Sequence, residues 1–308
     1  MSDDSVQPND ADSQSVAARQ PGRRPGNIWL IIVASLFIVV PFLTWYFTWF
    51  GRALSDEKIV EYLSDEKKPR NIQHALTQIE SRMEKNDPAV RKFYPRILEL
   101  AKSPTGEVRK TVAWVMGQDN TSEDFHRALL SLLNDSEPLV RRNAALQLVR
   151  FGDASGRPEL RAMLQPFEAK SPINGTIVSI LPVGSELRAG ALLARIRVTS
   201  SSSGPASPDT QHPAPVTVLG DVQEFRAPVD GEIASLAVKE GDTVTAGQTL
   251  ASLKPDKPSV SAALRGLAYV GTAEDLPSVE SLGQNAGNLE IASQASTTAK
   301  AIRSRSTR

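Results

Sequence analysis

One internal repeat constrains the fold of this chain more than any other feature. The segments ILELAKSPTGEVRKTVAWVM and LLSLLNDSEPLVRRNAALQL align at a shift of 32 residues, which places Leu98 on Leu130 and Val108 on Val140. Each copy has the pattern of an apolar helix, a short polar turn and a second, amphipathic helix. A single hairpin of this kind cannot bury its apolar stripe, so the copies must stack and share a continuous core.

The helix after the turn, VRRNAALQLVRFGD, resembles the HEAT repeat family. The resemblance covers Val90 to Phe151, and IVEYLSDEKKPRNIQHALTQI supplies a degenerate earlier copy. It implies an all-α solenoid of stacked helical hairpins, which we place at residues 56–166. Members of this family mostly bind other proteins along the solenoid, so the resemblance also implies protein partners and no catalytic residue.

The second half of the chain contains another repeat, with the spacing of short strands and turns. The segments SPINGTIVSILPVGSELRAGALLARI and APVDGEIASLAVKEGDTVTAGQTLASL align with one residue fewer in the first. Gly, Asn and Asp recur between short β-rich runs, as tight turns require. This pattern predicts an all-β sandwich of two equivalent halves at residues 168–255, with a flexible Ser/Pro/Gly-rich loop at 199–224. Aligned pairs include Pro172 and Pro228, Gly175 and Gly231, and Gly184 and Gly241.

This β pattern resembles the biotinyl/lipoyl-like, or barrel-sandwich hybrid, family. That family includes cofactor carriers and, with the halves pulled apart, the membrane-fusion or periplasmic adaptor proteins of export pumps. In carriers the modified lysine lies on the hairpin that joins the halves. No lysine occurs here between Lys170 and Lys239, so an unmodified domain without a cofactor is expected. A carrier or regulatory subunit of a biotin- or lipoate-dependent enzyme is the disfavoured alternative.

Residues 257–308 return to the helical pattern. A shift of 119 residues places Ala263 on Ala144 and Leu267 on Leu148, and a glycine and a proline follow at matching positions. A helix stop and restart of this kind predicts further HEAT-like helices, followed by a basic tail. The spacing favours a β domain inserted into the turn of a helical hairpin of the solenoid. The alternative is a free helical hairpin behind the β domain.

A long apolar segment lies near the N-terminus. No charged residue occurs between Arg24 and Arg52, and the run Ile28–Phe50 is apolar. This run predicts one transmembrane helix at residues 27–51 after a disordered tail at 1–26. Basic residues before the run favour an N-terminus in the cytoplasm and the C-terminal bulk outside it. The predicted fold class is a multidomain protein anchored in the inner or plasma membrane; a cytoplasmic-facing assembly factor is the opposite topology.

The composition argues against several classes of function. The 35 Lys and Arg residues balance 35 Asp and Glu residues, whereas nucleic-acid binding needs a basic excess. With no cysteine and with three histidines that are not paired at metal-ligand spacing, no metal site is predicted. Since phosphate-binding and nucleophile motifs are also absent, we predict no catalytic residue, no cofactor-binding residue and no enzyme activity.

Trp114 is the candidate for a protein-interaction residue. In VAWVM and the positions around it, Val112, Ala113 and Met116 already supply the core stripe, which leaves the indole available for a binding face. The alternative is that Trp114 packs between repeats. Together these features predict a non-enzymatic, membrane-anchored scaffold or adaptor that binds proteins, for example as an accessory of a membrane transport, export or envelope complex.

Overall fold

A computed structural model describes residues 28–45, 53–198, 218–219, 221–285 and 287–306. The predicted N-terminal tail and most of the predicted loop at 199–224 lie outside these residues. The chain divides into two compact units, residues 1–53 and 54–308. Of the described elements, the first helix belongs to the first unit, and all others belong to the second.

The apolar run of the first unit forms helix α1, Ile28–Trp45. None of the helices that the structure describes is long and apolar enough to cross a membrane. The rest of the predicted run, to Phe50, lies outside the described residues. The predicted transmembrane helix at 27–51 is therefore wrong, and so are the membrane contact through Ile28–Phe50, the membrane-anchored fold class and the single-pass localisation.

Helices make up most of the second unit. They are α2 Asp56–Ser64, α3 Pro69–Glu84, α4 Tyr94–Leu100, α5 Gly106–Met116, α6 Glu123–Leu132, α7 Pro138–Arg150, α8 Arg157–Ala162, α9 Lys257–Val270, α10 Leu276–Asn285 and α11 Leu289–Ser306. Several begin where the sequence supplies a cap. The side chains of Ser55, Ser122 and Asp256 accept hydrogen bonds from backbone N–H groups in the first turns of α2, α6 and α9, which satisfies donors that have no partner within the helix.

The helices pair in chain order: α2 with α3, α4 with α5, α6 with α7, α8 with α9 and α10 with α11. The second helices of these hairpins, α3, α5, α7, α9 and α11, also pack side by side in that order. Apolar side chains fill the space between helices, and the fully buried ones include Ile79, Val112, Phe125, Leu148, Leu267 and Ile302. Stacking of this kind gives each hairpin the apolar cover that it lacks alone.

Between α8 and α9 the chain forms a β domain. Its strands are β1 Phe167–Lys170, β2 Gly175–Ile180, β3 Glu186–Leu187, β4 Leu192–Val198, β5 Val218–Leu219, β6 Val222–Arg226, β7 Gly231–Leu236, β8 Thr243–Val244 and β9 Thr249–Pro255. They form two sheets with antiparallel neighbours, in the orders β1-β9-β7-β3 and β5-β6-β4-β2-β8. Their side chains form a separate core that includes Ile177, Leu193, Ile233 and Leu250.

The two halves of the β domain follow the same backbone path. The β2–β4 pairing shifts register between Ile177 and Ser179, and the β7–β9 pairing shifts register between Ile233 and Ser235. Glycines at aligned turns also share a positive φ, 86° at Gly184 and 88° at Gly241. Glycine adopts such angles without the steric cost that a side chain would add. The repeat in the sequence therefore corresponds to a repeat in geometry.

The two helices that flank the β domain in the sequence pack on each other. α8 packs on both α7 and α9, although the strands separate α8 from α9 in the sequence. Leu160 of α8 is fully buried, and a Cβ placed on Gly266 of α9 would lie 3.0 Å from its Cδ1. The second unit is therefore a mixture of helices and antiparallel sheets in which the strands interrupt a helical hairpin.

Candidate protein-interaction site

Trp114 lies on α5, close to the preceding second helix. Its side chain is 44% exposed, and the indole N–H donates a hydrogen bond to Oε1 of Glu80 on α3 at 2.5 Å. Val112, Ala113 and Met116 are fully buried. The indole is thus held by α3 and still offers aromatic surface to solvent, and Trp114 remains a candidate for a protein contact.

Positions that align with Trp114 are also accessible on the neighbouring second helices. The shift of 32 residues places Leu146 of α7 on Trp114, and the shift of 119 residues places Arg265 of α9 on Leu146. The side-chain amide of Asn143 donates to the carbonyl of Lys110 at 3.2 Å, which agrees with the register of the first shift. Leu146 is half-buried and Arg265 is exposed.

One helical turn farther on, the same shifts align Gln118, Arg150 and Tyr269. Arg150 is exposed, and Tyr269 is 75% exposed. On the last helix, α11, which neither shift aligns, we include Lys300 because its side chain is exposed. We name these accessible positions the second-helix face; its members are Trp114, Leu146, Arg150, Arg265, Tyr269 and Lys300.

The sequence pattern identified Trp114 but not the other members of this face. A binding role cannot be predicted for single exposed residues such as Arg150, Arg265 and Tyr269, because exposed arginines and tyrosines are common on helices. The repeat alignment is the signal that could have identified them, since it places them at the positions of Trp114 and Gln118.

Hydrogen bonds between successive hairpins hold this face in place. Arg109 Nε and Nη2 donate to the two carboxylate oxygens of Asp135 at 2.7 and 2.8 Å, and this pairing raises the pKa of Arg109. Arg141, which aligns with Arg109, donates from Nε to Oε2 of Glu159 on α8, in the next hairpin, at 3.3 Å. Bidentate pairs with little exposure restrict motion, so a partner would meet a preformed surface.

A second candidate surface lies where the β domain meets the turn before α7. A cleft of about 280 Å³ there is lined by Glu137 and Arg141 from the helical side and by Phe167 and Lys170 from β1. Beside it Arg142 is 5% exposed, and its guanidinium lies 5.7 Å from the centre of the Phe167 ring. Burial lowers the pKa of Arg142. These contacts hold the β domain against α7.

Glu137 in this cleft gives a pH-dependent prediction. Burial raises the pKa of Glu137 from 4.5 to about 7, although Arg109 opposes the shift. Ionisation of Glu137 therefore costs free energy in the folded protein, and stability present below about pH 4.5 is lost as the pH rises through about 7. We expect Glu137→Gln to match the wild type near pH 4 and to be more stable by about 1 kcal/mol near pH 8, because solvent screens part of the effect.

Urea unfolding at the two pH values measures this difference. Glu240→Gln, at an exposed position of the β domain, is the matched control and should behave like the wild type at both. A Glu137→Gln effect of the same size at acidic and basic pH would contradict the prediction.

The described residues lack a metal-binding cluster. They contain no group of three or more His, Cys, Asp or Glu side chains that could hold a metal ion. His126 Nε2 lies 2.6 Å from Oδ2 of Asp153, and its ring stacks on Phe151. His126 therefore joins α6 to the end of α7 and to the turn that follows it, while His212 lies outside the described residues.

Comparison with known proteins supports the helical repeats. Residues 94–168, from the start of α4 into β1, match the family model for HEAT repeats, which confirms that part of the predicted resemblance. No curated protein matches the chain.

One solved structure, a single-chain, multi-domain long-chain acyl-CoA carboxylase, is 15% identical to this chain, with a TM-score of 0.23 over 40% of this chain and 11% of that one. This chain therefore spans only a small part of that structure. Similarity at this TM-score carries no conclusion, and the biotinyl/lipoyl-like resemblance gains no support from it.

Proposed function

We propose that the protein is a non-enzymatic scaffold that binds a partner protein on the second-helix face. The observation that carries this proposal is the exposed aromatic surface of Trp114 and Tyr269, whose positions lie one helical turn apart in the repeat alignment of the helical stack. Aromatic residues are the commonest anchors of protein interfaces. The match of residues 94–168 to HEAT repeats supports the same role, because stacked repeats offer extended binding surfaces.

For the β domain we propose an unmodified biotinyl/lipoyl-like sandwich that presents a second surface. Its support is the repeated geometry of its halves and a sequence without lysine between Lys170 and Lys239. Leu139 of α7 packs against the β-domain core. Two surfaces held on one support raise the effective concentration for a partner that contacts both.

The accessory role in an export or envelope complex depended on a membrane anchor together with the β domain. The cytoplasmic-facing assembly factor depended on the same anchor. Because the predicted transmembrane anchor is wrong, we propose only the general role of a protein-binding scaffold.

Affinity purification of the full-length chain tests the scaffold role. The wild type should recover a discrete set of proteins, and the variant Trp114→Ala/Tyr269→Ala should recover them at about tenfold lower yield, because exposed aromatic anchors carry much of the binding energy. Val183→Ala removes exposed apolar surface from the β domain, at a position that is 57% exposed. It is the matched control and should recover the same proteins as the wild type. Equal recovery by the wild type and the double variant would contradict the proposal.

The carrier alternative makes a different prediction about the mass of the chain. If the β domain is unmodified, the protein purified from cells with active biotin and lipoate ligases should have the mass of the bare polypeptide. Intact-mass spectrometry checks this. A biotinyl or lipoyl adduct that maps to the β domain would restore the carrier role.

A further inference from the structure

We infer that the partner contacts the second-helix face through an acidic segment that lies across α7, α9 and α11. This inference rests on the proposed function and adds the chemistry of the partner. It follows from the charges of these helices, from three exposed cations that form no ion pair among the described residues, and from the apolar side chains beside them.

The first observation is the uneven distribution of charge along the stack. α7 and α9 contain no Asp or Glu, and α11 contains one, Glu290, in its first turn. By contrast α3 carries Glu80 and Glu84, and α5 carries Glu107, which pairs with Lys110 at 2.5 Å. The second helices α7, α9 and α11 therefore carry more basic than acidic side chains.

The second observation is that the cations of this face have no carboxylate partner among the described residues. Arg150, Arg265 and Lys300 are exposed and form no ion pair within the part of the chain that the structure describes. The only side-chain hydrogen bond of Arg265 among these residues is donated to Oγ of Ser261 at 3.1 Å.

Other arginines of the stack are neutralised locally. Arg82, Arg96 and Arg157 each pair with at least one carboxylate. Among the described residues, Arg150 and Arg265 have no such carboxylate partner. Their positive charge is therefore available to a ligand.

The third observation is the apolar surface beside these charges. Tyr269 follows Arg265 by one helical turn and is 75% exposed, while Leu146 lies half-buried one turn before Arg150. Arginine forks bind carboxylates in defined geometry, and aromatic neighbours add apolar contact. This combination fits a peptide that alternates carboxylates with apolar side chains better than it fits a uniform polyanion.

A binding titration tests the inference. The probe is a fluorescein-labelled peptide of repeating Glu-Glu-Leu, titrated with the full-length chain and followed by fluorescence anisotropy at about 50 mM salt, where screening is modest. We expect saturable binding that Arg150→Glu/Arg265→Glu weakens by about tenfold, because two attractions become repulsions. A matched control is Arg188→Glu/Lys239→Glu, two exposed positions of the β domain, which should leave the affinity unchanged.

The inference is overturned if both double variants weaken binding equally, or if Arg150→Glu/Arg265→Glu binds like the wild type. Tighter binding of a single-stranded RNA oligonucleotide than of the peptide would also overturn it, in favour of a nucleic-acid ligand. Both altered side chains are exposed, so unchanged thermal unfolding confirms that the fold is intact.

Its failure can be told apart from failure of the scaffold role. If partner proteins are lost from Trp114→Ala/Tyr269→Ala and retained by Arg150→Glu/Arg265→Glu, the scaffold role stands and the acidic segment does not.

Discussion

Replacement of Asp275 by alanine is expected to lower the free energy of unfolding by about 3–5 kcal/mol, the cost of removing one partner from a buried ion pair. Asp275 is fully buried. Its carboxylate accepts hydrogen bonds from Arg157 Nε at 3.1 Å, from Arg161 Nε at 2.8 Å and from the backbone N–H of Thr272 at 2.8 Å. Without it, two arginines of α8 and a backbone donor lose their partner at once. Urea or thermal unfolding of the full-length variant measures the loss.

Glu274→Ala is the control for this prediction. The Glu274 side chain is 76% exposed and pairs with Nη2 of the same Arg157 at 2.9 Å. Exposed pairs contribute little, so we expect a loss below about 1 kcal/mol. Equal losses for Asp275→Ala and Glu274→Ala would show that Asp275 is not the point at which α8 is joined to the segment after α9.

Leu160→Ala is expected to cost about 2–5 kcal/mol, the range for a buried leucine whose removal leaves a cavity. Leu160 is fully buried in the core that α8 shares with α9, and it packs where Gly266 has no side chain. Because the strands separate these two helices in the sequence, the loss should appear as faster hydrogen exchange in both α8 and α9. Leu289→Ala, at an 89% exposed position, should leave stability unchanged. Retained protection of α9 in Leu160→Ala would contradict the close packing of the two helices.

Much of the second unit could be predicted from local patterns. The repeated apolar pattern that aligns Val108 with Val140 predicts that both side chains are buried. Both are buried in the structure. In the β domain, aligned glycines such as Gly184 and Gly241 mark turns with positive φ, a requirement that few other residues meet. Patterns of this kind are local consequences of backbone geometry, so the sequence records them directly.

The contacts between distant segments could not be predicted in the same way. Asp275 lies 118 residues from Arg157 and 114 from Arg161 along the chain, and only the packing of α9 on α8 brings them together. In the sequence, Asp275 looks like an ordinary acidic residue at the start of a helix. The second-helix face has the same origin, because it forms only when α5, α7, α9 and α11 lie side by side.

The wrong prediction of a transmembrane helix has a different cause. Hydropathy counts apolar residues along the chain, and the run Ile28–Phe50 satisfies that count. It does not report whether the run forms a helix that is long and apolar enough to cross a membrane, and none of the described helices is. For Trp114 the sequence allowed two predictions, an exposed side chain or one packed between repeats. In the structure the indole is exposed and also donates a hydrogen bond to Glu80.

Site-specific photo-cross-linking tests the scaffold role most directly. Benzoylphenylalanine is placed in the full-length chain either at Tyr269, on the second-helix face, or at Arg127, whose side chain is 65% exposed on α6. Irradiation in cells should give a discrete protein adduct from position 269 and none from position 127, because only the first lies on the proposed binding surface. Adducts of equal yield from both positions, or no adduct from position 269, would contradict the proposal that this protein binds its partner through the second-helix face.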